Sequence, residues 1–280
     1  MRTINASQIE QAVCEAMLKA HFQIDKAIEC AVNKAQLREK TELARSVLEQ
    51  ISENYVIAVR EKLPICQDSG MTLVYAEVGQ QIFIEGDFEE AVNAGVRRAH
   101  KEGYLRASVV KDPIFHRENT LDGTPAIIRV RLIPGNALKL TVVAKGFGSE
   151  NNSSLRIFIP ATPLEEIKEY IVRSVMENAA KSCPPLIVGV GIGGTMDKAA
   201  DLAKTATFRP VDKRHANPEY AALEQELLDR INASGIGPAG LGGGTTALAV
   251  NIETFPTHIA SIPVAVNLCC HASRHGTVTL

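Results

Sequence analysis

The sequence predicts an α+β fold in which a helical N-terminal layer packs on mixed β-sheets flanked by helices. Three observations carry this. Apolar residues recur at helical spacing from residue 7 to about 62, short alternating or β-branched runs dominate beyond Pro64, and segments with their own helix-capping residues interrupt those runs. The chain has 280 residues, 45% hydrophobic and 22% charged, enough to bury a large core. No tandem repeat, low-complexity tail or interdomain linker breaks it. The expected partition is a single compact unit over 1–280, with 1–62 as a helical layer inside it.

That layer opens at Ser7 and Glu10, spaced as a capping box, and continues through Ile9, Val13 and Met17, then Ala44, Val47, Leu48 and Ile51. Cys14 and Cys30 fall where they are compatible with its buried face, and a buried thiol behaves as a small hydrophobe. Strands are expected at 72–78, 127–133, 138–144 and 155–159, the middle two joined as a hairpin by Pro134-Gly135-Asn136. Asp87 with Glu90 starts a helix ending near Gly103, and Thr162-Pro163 with Glu165 starts another running to about Ala180. After Cys183-Pro184-Pro185 come an apolar run at 186–190, a glycine turn, and a helix through Ala199, Leu202 and Ala203. Asn217-Pro218 opens a helix to about Ser234, and a glycine-rich loop leads to strands expected at 246–252 and 264–268.

Several function classes are disfavoured at this level. Thirty Lys and Arg against 32 Asp and Glu give a formal charge of −2, which offers no broad attraction to nucleic acid or to an anionic membrane. The N-terminus lacks the apolar core and cleavage site of a secretory signal, so the cytoplasm is the expected location. The uncharged stretch Gly235 to Ile252 is too rich in glycine to form a membrane span. Gly189-Val190-Gly191-Ile192-Gly193-Gly194 fits a dinucleotide fingerprint, but Thr207–Arg214 is proline-broken and charged where the next strand and its ribose-binding acid belong. A tight turn or generic anion cradle is the better reading. Gly240–Thr246 has the glycine density of a phosphate loop but no lysine before its threonines, which argues against a nucleoside triphosphatase. Its glycines instead allow positive φ angles or close approach of backbone to a ligand.

Six cysteines in a long chain without a secretion signal point to reduced thiols, metal ligands or catalytic groups. Cys66, Cys183 and Cys270 each stand beside proline, polar or histidine residues at the edge of an expected element. Three thiolates from separate loops suit an iron–sulfur cluster with one iron left open, and scattered structural cysteines are the alternative.

The surrounding motifs are Pro64–Gly70, Gly103–Val110, Lys145–Asn151, Cys183–Gly194, and Pro256–Ala260 through to Cys270-His271-Ala272-Ser273-Arg274. In these, over nearly its whole length, the chain resembles the α subunit, or N-terminal domain, of the class I iron–sulfur fumarate hydratases, a family that includes L-tartrate dehydratase. The resemblance implies a [4Fe–4S] cluster on Cys66, Cys183 and Cys270. Cys269 and Cys270 point to opposite faces of an extended segment, and the family's Asn-x-x-Cys spacing, counted from Asn267, selects Cys270. It further implies that Gln67 and Asp68 contact the substrate and its hydroxyl, that Arg106 clamps a carboxylate with its planar donors, that Gly148 offers backbone contact, and that His258 gives a proton or hydrogen bond. Here Gly146-Phe147-Gly148 stands where three glycines are common. Read by themselves, Asp68 is also a loop acid turning onto Gly70, Arg106 a helix-end arginine and His258 a structural histidine.

The implied reaction is the reversible hydration of fumarate to malate, a small dicarboxylate pair, with the open iron as Lewis acid on the substrate hydroxyl. The proton-abstracting base would come from a separate β subunit, with further dimerisation expected. An L-tartrate dehydratase α subunit is the alternative, and a metal-stabilised interaction protein without catalysis is the alternative from another class.

Overall fold

The computed structural model describes residues 2–280. The first half of the chain forms β1 (Arg2–Asn5), α1 (Ala6–Phe22), α2 (Lys26–Arg38), α3 (Glu42–Glu61), β2 (Met71–Gly79), β3 (Ile82–Glu85), α4 (Phe88–Glu102), β4 (Ile127–Ile133) and β5 (Leu138–Lys145). The second forms α5 (Phe147–Glu150), β6 (Ser154–Phe158), α6 (Leu164–Met176), β7 (Leu186–Gly193), α7 (Met196–Ala206), α8 (Pro218–Asn232), β8 (Ala247–Phe255), β9 (Ile262–Cys270) and β10 (Arg274–Thr279). Short 3₁₀ turns fall at Ala179–Ser182 and Pro238–Gly240. The fold class is α+β, and no helix among the described residues is long and apolar enough to cross a membrane.

Contacts gather the chain into two compact units. One takes the chain up to Ile24, Tyr55–Phe147 and Arg274–Leu280; the other takes Asp25–Asn54 and Gly148–Ser273. The N-terminal helices are thereby shared out, α1 to the first unit and α2 with most of α3 to the second. Because each unit is assembled from separated segments, no linker marks the passage from one to the other.

In the first unit the sheet order is β10-β5-β2-β4. Ile9, Val13 and Met17 of α1 and Val92 and Val96 of α4 share one core with Val74, Leu140 and Val142 of the sheet. The α1 cap is Asn5 with Gln8, two residues ahead of the expected pair, each side chain meeting the other's backbone N–H. Asp87 caps α4 as expected, accepting from Glu90 N. The expected hairpin at 134–136 is not formed. Strand β4 pairs parallel to β2 and β5 antiparallel to it, so β2 lies between them. The turn instead crosses the end of β2, where Gly79, Gln80 and Gln81 donate to Ala137, Ile133 and Gly135. A two-strand reading of the sequence has no means of seeing the third strand that intervenes.

In the second unit the order is β6-β9-β7-β8, with β7 and β8 parallel and β9 antiparallel to β7. Alternate residues divide the faces. Leu186, Val188 and Val190 with Val264, Val266 and Leu268 join α6 and α8 in one core, while Ala265 meets Ala199 and Ala203 of α7 on the other face. The glycines of β7 belong to that second face. A Cβ on Gly189 would stand 2.0 Å from the Ala203 carbonyl oxygen, and one on Gly191 2.0 Å from that of Ala199. They let a helix lie directly on the strand. Residues 207–216 after α7 form no strand, and Arg209 there is spent on the buried Glu224 and on Glu253.

Candidate active site

All six cysteines are thiols, and their exposure separates them. Cys14 is buried, and burial, reinforced by the nearby Glu102 carboxylate, pushes its thiol up to about 11. Cys30 is exposed, contrary to its expected place on a buried face. Cys66, Cys183 and Cys270 each reach the surface to some degree, whereas Cys269 points inward at 7% exposure. The pleat of β9 thus separates the adjacent pair, and Cys270 is the one turned outward.

In the first unit the segment 65–70 carries three candidate residues together. Cys66 follows Ile65, whose N–H donates to His21 O at 2.9 Å. Asp68 forms the turn onto Gly70, accepting its N–H on Oδ1 at 2.9 Å, and accepts the Phe147 N–H on Oδ2 at 2.8 Å. Arg274 donates to the Asp68 carbonyl, and a Cβ on Gly146 would lie 3.1 Å from both Arg274 Nη2 and Asp68 Oδ2. Gly70 itself has φ +69°, and a Cβ there would stand 2.3 Å from Lys145 O. The loop therefore lies flat on the 145–147 turn only because residue 70 is glycine. Arg106 is exposed, its Nη1 within 3.5 Å of Gln67 Oε1, and its N–H donates to Ser69 Oγ at 2.9 Å. Cys66, Gln67, Asp68 and Arg106 are brought together. Sequence reasoning passed over Ser69 and Arg274, which fix them; both lie within the quoted motifs, but their burial, at 2% each, is what reveals the role.

In the second unit Cys183 ends the 3₁₀ turn with left-handed backbone, φ 54°, which presents its side chain to solvent. Leu186, three residues on, pairs with Cys270. The two cysteines thus share one end of the sheet. Gly148 lies close by through Asn152, whose amide nitrogen donates to Gly148 O at 2.8 Å and to Ser182 Oγ at 3.0 Å. Nothing stands within 4 Å of a Cβ built on Gly148, so its backbone is open to a ligand. Asn267 holds this end rigid: its amide donates to Glu150 Oε2 at 2.8 Å and Ser153 Oγ at 2.9 Å, and Glu150 also pairs with Lys204. His258 is elsewhere. It sits in the exposed β8–β9 turn beside Gly194, its Nδ1 accepting from Ala260 N at 3.2 Å. Leu186 faces Cys270 and Gly193 faces Phe255, so the length of β7, about 23 Å at 3.3 Å per residue, stands between His258 and Cys270. The fold of one chain does not unite them.

Among the described residues no group of three His, Cys, Asp or Glu is placed to hold a single metal ion. Binding one ion asks several ligands to approach one point to about 2.3 Å. A cluster asks less of its cysteines, since each thiolate meets its own iron. Soft, partly exposed thiols on loops and strand ends fit that donor chemistry.

Comparison with known proteins places this arrangement. The family described as fumarate hydratase (Fumerase) matches residues 10–279. The chain is 36% identical over 274 residues to the "Putative L(+)-tartrate dehydratase subunit alpha" of Methanocaldococcus jannaschii, covering 96% of each chain. It is 29% identical over 242 residues to the L(+)-tartrate dehydratase subunit alpha of Escherichia coli K12, covering 86% of this chain and 80% of the other. The family and the relatives define an enzyme chain of the hydro-lyase class. It belongs to the fumarate hydratase (Fumerase) family.

Proposed function

We propose that the chain is the α subunit of an iron–sulfur hydro-lyase that interconverts fumarate and malate, completed by a β subunit that supplies the proton-abstracting base. The observation that carries this reading is a family match running through every motif of the site, residues 10–279. Cys66, Cys183 and Cys270 would hold the [4Fe–4S] cluster. When bound, such a cluster supplies Lewis acidity toward a substrate hydroxyl. Arg106 is the carboxylate clamp, its exposed guanidinium matched to two carboxylate oxygens. Gln67, at its side, adds an amide that bonds a second oxygen. Asp68 is held in one orientation by two backbone amides, yet each carboxylate oxygen keeps acceptor capacity for a substrate O–H. Gly148 gives unobstructed backbone contact. His258, a strand's length from Cys270, would serve a site only from a second copy of the chain. Mixing an H258A chain with a C183A chain would then restore activity that neither shows alone, and failure of such mixtures would remove His258 from the site.

L-Tartrate is the second reading, favoured by the names of the relatives at 36% and 29% identity. The two differ by one hydroxyl. A site that hydrogen-bonds the extra group rejects the substrate lacking it by about 10⁴-fold or more. The test is anaerobic copurification with the β chain, iron and sulfide analysis, and steady-state rates on L-malate and L-tartrate. Inorganic sulfide and turnover of one diacid only with β present is the expected result. Zinc without sulfide, or full turnover by the α chain alone, would overturn it.

A further inference from the structure

We propose that a second cavity in the Asp25–Asn54/Gly148–Ser273 unit binds a small carboxylate that also carries a hydroxyl or ammonium donor. The cavity, about 540 Å³, is walled by the end of α2, the α2–α3 turn, the glycine-rich 243–245 segment and the start of β8. Its size suits a small molecule. It shares no wall residue with the candidate active site.

Two features give the ligand its chemistry. Glu39 in the wall is 6% exposed; its Oε2 accepts the Gly244 N–H at 3.0 Å, but its Oε1 is buried and meets no donor among the described residues. A buried acceptor left unmet costs about 1–3 kcal/mol, and such groups call for a partner. A Cβ on Gly244 would stand 3.7 and 3.8 Å from the two oxygens and meet nothing else within 4 Å, and Gly244 and Glu39 line the cavity side by side. The glycine-rich loop takes positive φ at Gly240, Gly242 and Gly243, one of the two uses expected of its glycines, and lies over a carboxylate with no phosphate-binding lysine.

The second feature is cationic. Lys34, Arg38 and Lys40 line the same cavity, and among the described residues none of their side chains forms a hydrogen bond or ion pair. Lys34 and Arg38 are four residues apart on α2, a spacing at which like charges repel by a few tenths of a kcal/mol. A ligand carboxylate between them removes that repulsion, while its hydroxyl or ammonium group supplies the donor Glu39 lacks. A purely anionic ligand would satisfy the three cations and leave Glu39 unmet.

Equilibrium dialysis of the full chain without cluster against L-malate, L-aspartate and succinate tests this. All three share a four-carbon diacid skeleton; succinate alone lacks the donor. Saturable binding of malate or aspartate is expected, at least tenfold tighter than succinate, weakened tenfold or more by K34A/R38A and by E39Q, and unchanged by R106A. The comparison of malate with aspartate identifies the donor. Equal affinity for succinate would reduce the cavity to a cation patch. Binding that survives K34A/R38A, disappears with R106A, or is absent for both donor-bearing acids at 10 mM would overturn the proposal. Lys34 and Arg38 are exposed, so their loss reads out binding and not folding.

Discussion

At the scale of single residues, the buried histidines of the first unit set how the protein responds to acid. His21 is fully buried with both ring nitrogens unpartnered, and burial, helped by the charges of Arg274 and His100, holds its imidazole well below the ordinary 6.5. His100 is lowered as well, chiefly by burial. Both pKa values fall below those of the unfolded chain, so from pH 6.5 downward the unfolded state binds protons that the folded state refuses. Their contribution to stability is flat above about 6.5 and falls below it, by up to about 1.4 kcal/mol per pH unit for His21, whose imidazole is held well below 6.5, with His100 adding in the same direction. Urea unfolding between pH 7.5 and 5 checks this. H21L should lower the slope by about one histidine's share, and an unchanged slope would contradict the assignment. The cysteines give a parallel test. At pH 8, iodoacetamide followed by mass spectrometry should label exposed Cys30 and spare Cys14, whose thiol is pushed up to about 11. Both cysteines sit at apolar-looking positions in the sequence. Only the packing of α1 against α4, and the surface position of Cys30 on α2, tells them apart.

At the scale of elements, the glycines of β7 show what a motif hides. Gly189–Gly194 reads as a nucleotide fingerprint because the same residue type serves two ends, phosphate approach and helix–strand approach. Here the second holds: the Cβ of an alanine at 189 would meet the Ala203 oxygen at 2.0 Å and Thr207 Cγ2 at 2.7 Å. Helix α7 would have to lift from the sheet, and G189A is expected to cost about 3 kcal/mol or more. G148A, with nothing within 4 Å, should stay within about 0.5 kcal/mol of the parent. Equal midpoints for the two variants in guanidinium would refute this account. Strands β2, β4, β5 and β6 and helices α4 and α8 were legible within a residue or two, because periodicity and caps are local signals. Strands β1, β3 and β10 were not, being short or polar, and β4–β5 was misread as a hairpin because pairing is not local. The same division runs through the site. The cysteines and the Gln67-Asp68-Arg106 group lie in readable motifs, while Ser69 and Arg274 act through burial, and the displacement of His258 along β7 follows from strand register alone.

At the scale of the whole molecule, the path of the chain makes its last segment a structural part of the first unit. Strand β10 returns to pair with β5 from Arg274↔Ala144 to Thr279↔Lys139, and Leu280 and Leu138 exchange N–H···O bonds of 2.8 and 3.0 Å. Arg274, at the head of that strand, also holds the Asp68 carbonyl. Ending the chain at Ser273 would therefore strip an edge from the sheet and release the Cys66–Gly70 loop in one step. The exposed flank of β5 would then offer unpaired N–H and C=O groups to other chains. Amide exchange should show β2 and β5 losing protection while β7 and β9, cored by residues of 158–268, keep theirs, and the truncated chain should self-associate at concentrations where the parent does not. If β2 and β5 exchange as slowly without β10 as with it, the final strand is an ornament on the sheet, and the support of Asp68 must then rest on the Gly70 and Phe147 amides alone.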